Sequence, residues 1–258
     1  MGWIPPLDEW RILIRLFGPP RVVMNEAYGD DTTGARFDHG ILDTLLRRHV
    51  RSNGRVDYEA LTHDVARLDQ YIEAIGKVEF HALSRDEKLA LLINAYNAFT
   101  LRLVAEYRPL TSIQNIPNRE RWIGRRWRIG DHLLSLHEIE NVWLRTRFVE
   151  PRIHFAINCA SIGCPPLRAG AYTGAAIEGE LSSHTQAVHD DLRWAHFDGA
   201  TLWLTKVYLW YAGDFIQAGG DIASFAGRYM PEVAEKIAGG PPPRLRWLPY
   251  DWTINALN

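Results

Sequence analysis

Both cysteines of this chain fall in one short segment, Arg152-Ile-His154-Phe-Ala-Ile-Asn158-Cys159-Ala-Ser161-Ile-Gly-Cys164-Pro-Pro, beside a histidine and an asparagine. A thiolate is a strong nucleophile, but a free thiol near its usual pKa is only a few per cent ionised at neutral pH. Catalysis by Cys159 therefore needs an imidazole that takes its proton. His154 is nearest in sequence. His132, His137, His184 and His189 are further imidazoles that folding can bring up. If residues 153–158 form a strand, His154, Ala156 and Asn158 share one face, and the alternation turns His154 away from Cys159. Cys159 then stands where the strand gives way to a Gly- and Pro-containing loop. Such places combine a rigid backbone with a reachable side chain.

Other chemistries compete for these residues. A buried cysteine often packs as a small apolar group. A Cys159–Cys164 pair also suits a disulfide or a thiol-disulfide redox role. Cys159-x4-Cys164 with His184-x4-His189 has a superficial zinc-ligand look. Histidines five apart on a helix diverge by about 140°, however, so no metal is expected. Glu138 belongs to the capping box Ser135-Leu-His-Glu138. Glu140 taken alone reads as a solvated charge. Lys206 reads as a snorkelling side chain, and Asp251 needs a partner if buried. There is no phosphate loop, dinucleotide fingerprint, serine-nucleophile elbow or metalloprotease helix, and no cofactor is expected.

The elements that must position these residues mix helices with short hairpins. Apolar spacing predicts helices after Asp38 and from Leu61 to Gly76. Ser84-Arg-Asp-Glu87 reads as a capping box opening the strongest helix, Arg85 to Tyr107. Asn94 and Asn97 lie inside that apolar helix, where their amides are costly unless they find partners. Gly130-Asp131 and Asp198-Gly199 mark two hairpins. Helices are expected from Thr173 or Gly174 to Val188, from Val207 to Gln217 and from Ile222 to Met230, with a last extended piece from Leu245 to Thr253. The expected fold class is α+β: a single domain, helices packed around short antiparallel hairpins, with a papain- or transglutaminase-like core as one form of it. Residues 1–36 read as an N-terminal arm and connector, and 37–258 as the domain.

The chain has 258 residues, 29 Lys plus Arg against 31 Asp plus Glu, and ten Trp. At this size it can bury roughly three quarters of its surface without disulfide staples. The near-neutral charge argues against nucleic acid as a partner. No apolar run spans a membrane. Trp10 to Phe17 is apolar and basic but interrupted by Arg11 and Arg15, so a short helix packed on the domain is favoured over a surface anchor. The cytoplasm is the default compartment, or the periplasm or exterior if an upstream leader is removed.

Five motifs together resemble the family known as domain of unknown function 547. They are Leu89-Ala-Leu-Leu-Ile-Asn94-Ala-Tyr96-Asn97-Ala, Leu134-Ser-Leu-His-Glu-Ile-Glu140, His154 to Pro166, Lys206-Val-Tyr-Leu-Trp210-Tyr211-Ala-Gly-Asp214-Phe and Tyr250-Asp251-Trp252-Thr-Ile-Asn255. They run in the family's order over residues 37 to 257. The family often has His after the position of Glu140, where this chain has Asn141. The resemblance implies one domain and a shared set of polar positions, but no activity. Two functional readings follow. In the first, a thiol-dependent hydrolase or acyl-transferase uses Cys159 as nucleophile and His154 as base. Glu140 orients the imidazole or acts as an acid. Asn158, Asn94 or Asn97 steadies an oxyanion or the imidazole, and Ser161, Cys164, Lys206 and Asp251 complete the pocket. The substrate, a small molecule or peptide, stays open, as does the oligomeric state. In the second, the chain is a non-enzymatic binding module whose polar motifs are structural.

Overall fold

The computed structural model describes residues 22–117 and 119–257. The apolar, basic stretch from Trp10 to Phe17 lies outside the described residues.

The fold is built around helix α4 (Arg85–Tyr107), of whose 23 residues 17 are buried. A helix covered on nearly all sides cannot leave its polar side chains in water, so each must be met by protein. Ser84 caps it by accepting from the Glu87 amide. The second half of the expected capping box does not form. Glu87 instead accepts from the amides of Phe37 and Gly174 and faces His39. Buried Lys88 donates to Asp31 at 2.6 Å and to the Leu83 carbonyl. The connector is thus tied onto the helix.

Around α4 lie α1 (Gly40–His49), α2 (Tyr58–His63), α3 (Val65–Gly76) and the hairpin β1 (Trp127–Ile129) and β2 (His132–Leu134). Helix α5 (Leu136–Glu138) carries the expected capping box and runs on into a wider turn, Ile139–Leu144. These elements share one apolar core. A second core is formed by the C-terminal end of α7 (Ile177–His189), whose first turns pack in the first core, with β3 (Ala195–Phe197), β4 (Thr201–Leu204), α8 (Lys206–Trp210), α9 (Ala212–Gly219), α10 (Ile222–Gly227) and α11 (Pro231–Ala238). The architecture is α+β. The last strand, β5 (Arg244–Trp247), pairs parallel to β4, so the three-stranded sheet is mixed rather than a simple hairpin. The helix expected over 207–217 is broken at Tyr211 into α8 and α9.

The main correction concerns residues 153–158. They do not form a strand. Ile153–Ala156 is a helical turn, α6, held by His154 N–H to Pro151 O and Ile157 N–H to Ile153 O. A short apolar run buried on every side carries no period that separates strand from helix. The turn reaches both cores, with Ile153 and Ala156 in the first and Phe155 in the second.

Candidate active site

Between the two cores lies a cavity of about 330 Å³. Cys159, Cys164 and His154 reach it from the segment after Pro151, His137, Glu140 and Arg145 from α5 and the turn that follows, and Trp210 and Tyr211 from the α8–α9 break.

Cys159 is placed by its backbone. The next residue, Ala160, adopts φ +65°, a left-handed conformation that a non-glycine residue enters at a cost of about 1–2 kcal/mol. Three buried asparagines offset that cost. Asn97 accepts from the Asn158 amide at 2.8 Å and donates to the Ala156 carbonyl at 3.0 Å. Asn158 accepts from the Ala160 amide at 2.7 Å and donates to Pro165 O at 2.7 Å. Asn255 donates to Asn158 Oδ1 at 3.3 Å. The loop then docks on the C-terminal segment, with Ile162 N–H to Thr253 O and Gly163 N–H to Asp251 O, each 2.8 Å. Gly163 is required there, because a Cβ would lie 2.6 Å from the Asp251 nitrogen.

The docking brings Tyr250 to the thiol. Cys159 Sγ lies 3.1 Å from Ser161 Oγ and 3.3 Å from Tyr250 Oη, and the two hydroxyls are 2.8 Å apart. A hydrogen bond from Cys164, with others from Ser161 and Tyr250, outweighs burial and lowers the Cys159 pKa to about 7. The same bond to Cys159, together with burial, pushes the Cys164 thiol well up. Hydroxyl and thiol donors stabilise the charged form, which is how a half-buried cysteine becomes a thiolate near neutral pH. Both cysteines are free.

His154 is wholly buried and stacks on Tyr211, ring centroids 3.8 Å apart. Its Nε2 lies 2.8 Å from Asp214 Oδ2, and its Nδ1 has no hydrogen-bond partner among the described residues. Asp214 as acceptor holds the proton on Nε2 and leaves Nδ1 as the lone-pair nitrogen. Burial keeps the imidazole pKa below its usual value. Asp214 is itself gripped by the Arg145 fork at 2.7 and 2.8 Å, and the pairing carries its pKa down to about 2 despite burial.

Residues 80–187 match the family model described as protein of unknown function, DUF547. This is a DUF547 domain-containing protein. No curated protein and no solved structure matches the chain. The matched stretch holds Asn94, Asn97, Glu140, His154, Asn158, Cys159, Ser161 and Cys164. Asp214, Tyr211, Tyr250 and Trp252 come to the cavity region from beyond it.

In this DUF547 protein the expected site residues part company. Cys159, Cys164, His154 and Glu140 all line the cavity, and Ser161 touches the thiol. Asn97 and Asn158 stand behind it as braces. Asn94 is bound both ways to the Tyr172 backbone, at 2.7 and 3.0 Å, and holds a different segment. Their amides are committed to protein groups and do not face an oxyanion. Asp251 is exposed, and its carboxylate closes a local turn on the Thr253 amide. Lys206 opens α8 outside the cavity wall. Glu140 does not orient the imidazole, since Asp214 does. Glu140 accepts from the hydroxyls of Tyr211 and Tyr96.

Asn141 has a defined place. It donates to His137 Nδ1 at 3.2 Å and accepts from Arg145 at 2.8 Å. His137, one helical turn earlier, therefore supplies an imidazole on the same wall. Among the alternative histidines, His189 is spent on Thr185 O and Tyr208 Oη, and His184 lies 3.1 Å from Phe155 O. No group of His, Cys, Asp or Glu among the described residues is arranged to hold a metal ion. No helix among them is long and apolar enough to cross a membrane. Sequence reasoning missed Arg145, and it gave Asp214 no role. The family motif already contained Asp214, but nothing local tied it to His154.

Proposed function

We propose that this DUF547 protein is a thiol-dependent hydrolase or acyl-transferase with Cys159 as nucleophile. One observation carries the reading. The thiol and an imidazole share one cavity, and that imidazole has one nitrogen held by a carboxylate and the other unpartnered. This is the nucleophile, base and orienting-carboxylate logic of acyl transfer.

The chemistry runs in two halves. The Cys159 proton passes to His154 Nδ1, and the sulfur attacks the substrate carbonyl carbon. A C–S bond forms, and the carbonyl π pair moves to oxygen. Collapse of that oxyanion expels the leaving group, which takes the proton from His154. Water or an acceptor alcohol or amine then attacks the thioester, and sulfur leaves as the thiol. Ser161 and Tyr250 serve as hydroxyl donors next to sulfur. Burial keeps Tyr250 protonated across the neutral range.

The test uses p-nitrophenyl acetate as an acyl donor. One equivalent of p-nitrophenol released in a burst, with a 42 Da adduct mapped to Cys159 and absent from Cys159→Ala, is the expected result. A folded wild-type protein that forms no adduct at Cys159, with this donor or with a simple thioester, overturns the reading and leaves a binding module.

A further inference from the structure

The cavity holds one anionic group that the proposed chemistry does not use. Asp214 is neutralised by the Arg145 fork. Among the described residues Glu140 is hydrogen-bonded by the hydroxyls of Tyr211 and Tyr96, and Arg145 feels its charge only from beyond ion-pair distance. A carboxylate kept on a cavity wall without a counter-charge is costly unless a ligand supplies one.

The aromatic wall points the same way. Trp210, Tyr250 and Trp252 form a mutual cluster with ring centroids 4.7, 6.0 and 4.6 Å apart, and all three are incompletely buried. Arg121 already lies over Trp122 at 4.2 Å, and Arg145 over Tyr211 at 4.8 Å. Among the described residues, no Lys or Arg stacks on Trp210, Tyr250 or Trp252. Electron-rich rings grouped beside a carboxylate that has no ion-pair partner form a recognition surface that alkylammonium groups prefer.

We infer that the cavity takes a ligand with a quaternary ammonium or alkylammonium head group, held by Trp210, Tyr250 and Trp252 with Glu140 as counter-charge. The inference rests on the thiol-enzyme reading only for the reaction. With that reading, it names the substrate class as cationic esters, thioesters or amides. Recognition of the cation stands on the wall alone. Tyr250 belongs to both halves, since its hydroxyl touches Cys159 and its ring is part of the cluster.

Calorimetry with choline and its neutral isostere 3,3-dimethylbutan-1-ol separates the possibilities. Choline should bind wild type and Cys159→Ala about equally, and about tenfold more tightly than the neutral isostere. Glu140→Gln should erase that preference while leaving the alcohol's affinity unchanged. Trp210→Leu should weaken choline more than the alcohol. Bound choline should also slow iodoacetamide alkylation of Cys159, which places it in this cavity. Equal affinity for the two probes, no saturable choline binding, or a preference that survives in a folded Glu140→Gln protein overturns the inference. Choline binding without any acyl-enzyme sinks the thiol reading alone. An acyl-enzyme without cation preference sinks this one alone.

Discussion

The Nε2 atom of His154 and the Oδ2 atom of Asp214 lie 2.8 Å apart, with both side chains fully buried and the two residues sixty positions apart in the chain. This contact gives the imidazole a defined tautomer and a fixed ring plane. Asp214 also completes a chain of polar contacts that runs from His137 through Asn141 and Arg145.

Replacing that carboxylate is expected to be costly. In Asp214→Asn the Arg145 guanidinium stays buried without its counter-charge, and breaking such a pair costs about 3–5 kcal/mol. Urea denaturation should show a lower midpoint of that size, together with loss of acyl-enzyme formation. A variant as stable as wild type would remove the pair from any structural role.

Thiol reactivity should single out one cysteine. Iodoacetamide alkylation followed by mass spectrometry should modify Cys159 with a midpoint near pH 7 and leave Cys164 untouched. Cys164→Ala removes the largest cause of the lowered value, so the Cys159 midpoint should climb towards the ordinary thiol value of 9.0. A midpoint unchanged in that variant contradicts the assigned hydrogen bond.

Acid should destabilise the fold in two stages. His184 and His189 are held neutral by burial, with values lowered from 6.5 to about 4. The unfolded chain therefore binds more protons than the native state between those limits, and stability falls as pH drops from 6.5 to 4. Each histidine contributes up to about 3 kcal/mol to that fall. Asp214 acts lower. Its depressed value makes its stabilisation complete above about pH 4 and lost as pH falls through about 2. Denaturant midpoints measured from pH 7 to 3 should fall throughout, and a flat profile between pH 6.5 and 4 would falsify the assignment.

The turn that presents Cys159 is open to two substitutions. Ala160→Val puts a β-branched side chain at φ +65° in a buried position. It should cost at least about 2 kcal/mol. Asn97→Ala leaves the Asn158 amide and the Ala156 carbonyl unpaired in the interior, at about 1–3 kcal/mol each. Both variants should also raise the Cys159 alkylation midpoint, because the thiol loses its fixed place among its donors. Unperturbed thiol titration in a destabilised protein would separate the turn from the chemistry.

Local patterns were legible from residues alone. The helix Arg85–Tyr107, both hairpins and the Ser135 capping box follow from apolar spacing, turn residues and cap chemistry, which act within a few positions of one another. Cys159, His154 and Glu140 line one cavity, but residue type alone does not say what each does there. Asn94, Asn97 and Asn158 are polar in the sequence whether they serve a ligand or brace a backbone, and only the carbonyl and amide partners they meet decide which. Residues 153–158 carried no period, so their helical turn was set by packing between two cores.

By itself, the sequence determined which segments coil, where they stop and which residues are able to do chemistry, because propensity, capping and hydrophobic period act over short range. Tertiary structure alone decided that Asp214 and not Glu140 holds His154, that Tyr250 reaches the thiol, and that Glu140 accepts from Tyr211 on the same cavity wall as the indoles. Those relationships join residues 60 to 91 positions apart. At that range the contact is set by how two cores pack across one cavity, and no local pattern encodes it.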